Sequence, residues 1–297
     1  PGGIMRRHQA PHAFAAILLV LLAVAAPGAR AASPVVTAVG AANLSGFVDW
    51  SARLVRFTAT IDGRAAGLRL PSARIEAERA IEAALPALAK DLLFSIPVDA
   101  RRTILDTIAD GTIDVDSVLG ALESRRRVSG SFSTDFSTFS VAFELPLSAL
   151  EILYVRHTSP SDRPPSLEWA PTGAYTGIVI YAALPLPVRG EHGEAAVRPC
   201  LFPRVWDGDM GSVLESNMVA PGAIARWGVV GYASSVDSVG LEERVGDAPL
   251  RASARMVFGN GRTDLVISTE DARRIFGSPE NSALVREGRV VIVASGL

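Results

Sequence analysis

Cys200 is the only cysteine among the 297 residues, and it opens the stretch "CLFPRVWDGDM", which ends in Asp207-Gly208-Asp209. A thiol close to two carboxylates raises two chemistries: attack by a thiolate, and cation binding by an oxygen-rich loop. Neither pattern is complete. A calcium loop opening at Asp207 needs an oxygen ligand at its fifth position and glycine at its sixth, and those positions hold Gly211 and Ser212. A cysteine or serine nucleophile needs an imidazole beside it. Past residue 31 only His157 and His192 remain, both in Pro- or Gly-rich stretches, and there is no Gly-x-Ser-x-Gly elbow. Zinc would need more ligands at closer spacing than these residues offer.

Other candidates thin out in the same way. Asp106, Asp110, Asp114 and Asp116 could pair as the acid and base of a glycosidase, but a solvated helical face accounts for them with less machinery. Lys90 is the single lysine and no Gly-rich phosphate loop surrounds it. Gly259-Asn260-Gly261 lacks the third glycine and the strand-to-helix context of a dinucleotide fingerprint. Arg125-Arg126-Arg127 reads as a solvated junction, with an anion patch as the alternative. The sequence thus supplies no catalytic residue, no cofactor-binding residue and no metal ligand, and it implies no cofactor. Trp206 and Trp227 remain as exposed aromatics that a ligand could stack on.

Asp-Gly after an apolar run predicts a strand that turns and returns through residues 212–214, with Cys200, Phe202 and Val205 in the sheet. Pro203 cannot donate to a ladder, so it predicts an edge or bulged position. Cys200 then reads as a small buried hydrophobe. With one cysteine an intramolecular disulfide is impossible.

The remaining elements follow from periodicity. Residues 48–61 alternate with a change of parity, which predicts one long strand with a bulge between Leu54 and Val55. Asp62-Gly63 predicts a turn. Residues 71–93 carry Ile81, Leu85, Leu88 and Leu92 at helical spacing, with Pro71 in the first turn and a kink at Pro86. Short helices are expected at 102–109 and 114–123, then a hairpin of 128–133 and 138–147 with a serine-rich outer face that could alternatively hold a glycan. Residues 157–173 are rich in Pro and Ser and read as a linker.

Beyond it, 177–183, 264–268 and 289–294 predict central strands. Residues 251–258 alternate, with Ala252, Ala254, Met256 and Phe258 inward, and Asn260-Gly261 predicts a hairpin turn. Ser268 and Asp271 predict a capped helix carrying Ala272, Ile275 and Phe276. The expected fold class is α+β in two domains: a β-α-β-β layer with a kinked helix over 44–150, a linker over 151–173, and a mixed-sheet domain with one short helix over 174–297.

Net charge of −2 and a pI near 6.2 exclude a dedicated nucleic-acid binder, whose phosphate contacts need a basic face. Hydrophobic content of 48% against 20% charged residues predicts a folded chain with ample core. At the front, Arg6 and Arg7 precede the apolar run 13–26, then Pro27-Gly28 and Ala29-Arg30-Ala31. This predicts a secretory signal peptide over 1–31, with the mature chain starting near Ala32. The run is shorter than the roughly twenty residues a spanning helix needs. No cysteine lies near the cleavage motif to accept an acyl anchor, so membrane contact is expected to be peripheral at most. Pro1 to Ile4, ahead of Met5, read as an over-extended start.

In chain order, "VDW", "ARIEAERAIEAALPAL", "FELPL", "YTGIVIYA", "PCLFPRVWD", "WGVVGYA", "RVGDAPLRASA" and "DLVISTEDARRI" resemble a group of bacterial envelope proteins. These are similar to the N-terminal module of the flagellar T-ring assembly protein FlgT and to small outer-membrane lipoproteins. The resemblance implies an exported, non-enzymatic structural or assembly protein of the periplasm, associated with the outer membrane, with envelope or flagellar proteins as partners and room for a homo-oligomer. The alternative is a periplasmic module that binds a small molecule or glycan. The two differ in what they bind: macromolecules in the first case, a dissolved ligand in the second.

Overall fold

Alternating apolar positions build the first domain. β1 (Val35–Val39), β2 (Ala42–Asp49) and β3 (Leu54–Asp62) run antiparallel. In the computed structural model, residues 34–68, 72–163, 170–235, 237–238 and 240–297 are described. The expected signal peptide over 1–31, the start near Ala32 and Pro71 lie outside the described residues.

Residues 48–61 are not one bulged strand. The chain reverses at 50–53, and Val48 faces Val55 across a hairpin. Paired residues share a face, so this register turns even positions into odd ones and imitates a bulge. Arg53 closes the loop in the left-handed region, φ 58°.

Helix α1 (Ala73–Phe94) follows, with Ile81, Leu85, Leu88 and Leu92 buried on one stripe as their spacing predicts. The helix is continuous through Pro86, whose ring lies on the exposed side. There the carbonyl that lost its partner can bond water. α2 (Ile104–Ala109) opens with a capping box of Thr103 and Asp106, and α3 (Val115–Gly120) with Asp114 as its cap. A 3₁₀ turn at Ala121–Ser124 then leads into the expected hairpin, β4 (Arg126–Phe132) and β5 (Thr138–Pro146). The sheet order is β1-β2-β3-β5-β4.

Its inner face carries Leu44, Val55, Phe57, Phe139, Val141, Phe143 and Leu145, with Phe57 stacked on Phe143 at 5.4 Å. α1 lies across it closely enough that Gly46 must lack a side chain. A Cβ there would sit 2.6 Å from Leu92 Cδ2 and 2.7 Å from Phe57 Cβ. The domain ends in α4 (Ser148–Glu151) and a 3₁₀ turn at Ile152–Tyr154.

Among the described residues the second domain holds two four-stranded sheets and a two-stranded ribbon. β6 (Ile178–Ala182) is an inner strand of the first. The ribbon β7 (Leu186–Pro187) and β8 (Glu194–Ala195) follows, then β9 (Val205–Trp206), β10 (Ser212–Leu214), α5 (Pro221–Trp227), β11 (Gly231–Ala233) and α6 (Leu241–Val245). β12 (Leu250–Ser253), β13 (Met256–Phe258), β14 (Asp264–Val266), α7 (Thr269–Phe276), α8 (Pro279–Arg286) and β15 (Val290–Ala294) complete it. The order β11-β15-β6-β12 is parallel throughout, and β10-β9-β14-β13 is mixed. The fold is α+β in two domains.

Several details differ from the sequence pattern. Among the described residues four helices stand where one was expected, because α5, α6 and α8 have at most eight residues and little periodicity to read. Residues 251–258 split between the two sheets at Ala254-Arg255, so Val257 faces inward and Met256 and Phe258 are half-buried. Cys200 and Phe202 precede the strand, which starts at Val205. The capped helix α7, with Ala272, Ile275 and Phe276 buried, stands as its residues predict.

The domains share one hydrophobic core. Segment 97–102 of the first domain bonds directly to the second: Leu201 N–H donates to Pro97 O at 3.0 Å, Phe202 N–H to Val98 O at 2.8 Å, and Gly261 N–H to Ala100 O at 2.7 Å. Trp50 meets Tyr232 edge to face at 5.8 Å. The described part of the expected linker is fastened too. His157 Nε2 lies 2.7 Å from Val219 O, and Asp162 and Arg163 pair with Arg286 and Asp207.

Candidate functional site

The residues that first suggested chemistry are occupied by the fold. Asp207 is 2% exposed. Its carboxylate accepts N–H groups from Asp209 at 3.0 Å and Gly211 at 2.7 Å, and it pairs with Arg163 at 2.7 Å. This closes a turn, with Met210 at φ 63°, that returns the chain into β10. Cys200 is buried, and burial pushes its thiol far above the ordinary range. Its backbone exchanges hydrogen bonds with the Tyr232 hydroxyl, both at 3.1 Å.

Asp106 and Asp114 hold helix N-termini, and Asp110 binds Thr112. Hydrogen bonds from those partners lower all three carboxyls. Arg125, Arg126 and Arg127 pair with Glu82, Glu144 and Glu78. His192 is exposed in the loop between β7 and β8. Among the described residues no group of three or more His, Cys, Asp or Glu could hold a metal ion.

Two concavities form where the domains meet. The larger, about 540 Å³, lies between segment 99–102 and the second domain's β9, the β13–β14 hairpin and the loop after β7. The hairpin is set tightly against the first domain. Gly259 is left-handed at φ 85°, and a Cβ there would stand 2.6 Å from Ala100 Cβ. Trp206 lines the cleft half-buried, its Nε1 donating to Asp264 Oδ2 at 3.4 Å and the Arg204 guanidinium 5.8 Å from its ring centre. Asp264 also accepts from Arg204 N–H at 3.2 Å and Thr263 Oγ1 at 3.1 Å. Burial outweighs these bonds and raises its carboxyl. Five arginines and three carboxylates line this cleft, leaving it two positive charges when all are ionised.

The smaller concavity, about 310 Å³, surrounds a buried charge cluster. Arg244, 6% exposed, donates Nε to Gly288 O at 2.8 Å, Nη1 to Trp227 O at 2.6 Å and Nη2 to Gly228 O at 2.9 Å. It therefore fastens the ends of α5 and α8, whose last carbonyls lack helical partners. Burial, then the charge of Arg53, lower its affinity for its proton, yet a guanidinium stays charged at neutral pH. Arg53 donates to Val230 O at 3.1 Å and pairs with Glu151, 1% exposed, whose carboxyl burial raises. Trp227 sits at this rim with Nε1 donating to Glu287 O at 2.9 Å and Arg226 stacked over its ring at 4.3 Å. Each tryptophan thus carries an arginine over its ring and lines a concavity, Trp227 the smaller and Trp206 the larger.

Of the residues the sequence singles out, the structure brings Trp206 and the Gly259-Asn260-Gly261 turn to one cleft, gives Cys200, Asp207 and His157 separate structural roles, and leaves His192 exposed on a loop. Asp99, Arg101, Arg189 and Asp264 join the cleft unannounced, since no spacing links stretches about ninety residues apart.

The chain is similar to two domains of Treponema pallidum Tp0624, in chain order. The family of its N-terminal domain matches residues 41–153, and that of its second domain matches residues 177–296. Both matches name domains of that protein alone, with no mention of FlgT or of lipoproteins. No curated protein matches the chain.

Proposed function

We propose that this chain is an exported, non-enzymatic structural or assembly protein of the bacterial cell envelope, with flagellar or other envelope proteins as partners. One observation carries the reading. The side chains best suited to chemistry are held in structural bonds, while the two domains are fastened into a single block through backbone bonds and a shared core. Such a block offers shape and surface. Export rests on the residues of 1–31, and the flagellar link on the resemblance of its sequence strings. Crosslinking in intact cells followed by fractionation tests it. Recovery from the periplasm in complexes with envelope proteins is expected, and a cytoplasmic, partner-free monomer overturns it.

A second reading, a periplasmic module for a small molecule or glycan, draws support from the interdomain cleft with Trp206 on its wall. Its size falls in the range of small-ligand sites. A panel of envelope metabolites in a thermal shift assay separates the readings, since a bound ligand raises the melting temperature by mass action.

A further inference from the structure

The interdomain cleft carries positive charge that the fold leaves unused. Arg102 is held by Asp99 and Asp110, and Arg262 by Glu191. Among the described residues no side-chain hydrogen bond or ion pair holds the guanidinium of Arg101 or Arg189, and that of Arg204 has the ring of Trp206 and, at longer range, the Asp264 carboxyl. All three guanidiniums line the same concavity, Arg101 and Arg204 exposed and Arg189 half-buried. Asp264, the carboxylate outside an arginine pair among the described lining residues, is 4% exposed and already accepts three hydrogen bonds. Beside the arginines stand two flat apolar surfaces, Trp206 and Phe258, both half-buried. Guanidiniums match carboxylate and phosphate oxygens in pairs, and an aromatic face takes the apolar side of a ring.

Resting on the second reading above, we infer that this cleft binds a small anion carried on a sugar ring, a carboxylated or phosphorylated saccharide. Arg101, Arg189 and Arg204 hold the charged group, and Trp206 and Phe258 hold the ring. Both domains contribute, Arg101 from the first and the other four from the second, so the site exists only in the docked chain.

Calorimetric titration of the full chain at low ionic strength tests this with four probes: glucuronate, glucose 6-phosphate, glucose and inorganic phosphate. At least one charged sugar binds about tenfold or more tightly than glucose and than phosphate, and the two charged probes separate carboxylate from phosphate. R189Q and R204Q each weaken that binding by about tenfold or more, the worth of one charged hydrogen bond. R101Q, on an exposed side chain, does the same with an unchanged melting temperature of the free protein, which separates lost binding from lost folding. Glucose binding as tightly as the charged sugars overturns the anionic inference and leaves the binding-module reading standing. Phosphate alone binding equally well removes the ring. Binding unmoved by all three variants, or absent with every probe, also overturns the inference. In the last case a hit elsewhere in the metabolite panel would preserve the broader reading alone.

Discussion

Glu151 shows how a residue far from any motif can matter more to this protein than the carboxylates its sequence advertises. It is buried at the domain junction with Arg53 as its partner, and Arg53 reaches it from a strained left-handed position. Removing one partner of a buried pair strands the other charge, so Glu151→Ala should destabilise the chain by about 3–5 kcal/mol. Urea unfolding measures this, and a loss under about 1 kcal/mol would show that water already screens the pair. Asp264 makes a prediction of a different kind. Burial raises its carboxyl, so the folded chain holds that proton more tightly than the unfolded chain does. Its contribution to stability is fully present below the ordinary carboxyl value, about 4, and is lost as pH rises through the raised folded value. Asp264→Asn abolishes that loss, and urea midpoints of the variant should gain on the natural chain as pH climbs from 4 toward 8. Parallel curves would refute the assignment. Neither residue was legible in the sequence as a site. Glu151 reads as one more acid near a helix end, and Asp264 as the start of a buried strand; only the fold shows what lies over them.

Among the elements, legibility followed length and period. α1 spans 22 residues and repeats its apolar stripe through six turns, enough to be read and to override an internal proline. The capping signals at Ser268, and the alternation of β5, were likewise readable because each is a local rule. The β2–β3 hairpin was not, since its loop, Trp50-Ser51-Ala52-Arg53, holds none of the Gly, Asn or Pro that announce a turn. Arg53 takes the left-handed position a glycine would normally fill. The cost of Pro86 can be measured. Its ring is exposed, so Pro86→Ala restores an N–H to the helix while removing little burial. A stabilisation of about 1–3 kcal/mol is expected from the difference in helix-interior preference. A destabilised variant would mean that the proline shapes the helix to fit the sheet, which would then be visible as lost packing around Leu85 and Leu88.

At the scale of the whole chain, the two domains match separate domains of another protein, yet here they are joined too closely to behave as beads on a string. A tether between independent domains predicts few crossing bonds and relative motion. Instead, Pro97, Val98 and Ala100 accept three backbone bonds from the second domain, Trp50 packs on Tyr232, and the arm at 157–163 is pinned to the second domain's surface. The Pro- and Ser-rich composition of that arm suggested a linker because composition reports backbone preference and says nothing of what the segment touches. Thermal unfolding should therefore proceed in one step, with far-UV circular dichroism and tryptophan fluorescence tracing the same curve. Gly259→Ala attacks the joint itself: it imposes a side chain on a left-handed residue and drives its Cβ into Ala100. It should lower stability by about 1–3 kcal/mol. If the joint governs the whole, the variant still melts in one step at a lower temperature, because each domain loses the apolar cover the other supplies. Two resolved steps in the natural chain would show that each domain holds its own core, and the cleft between them would then open without unfolding either.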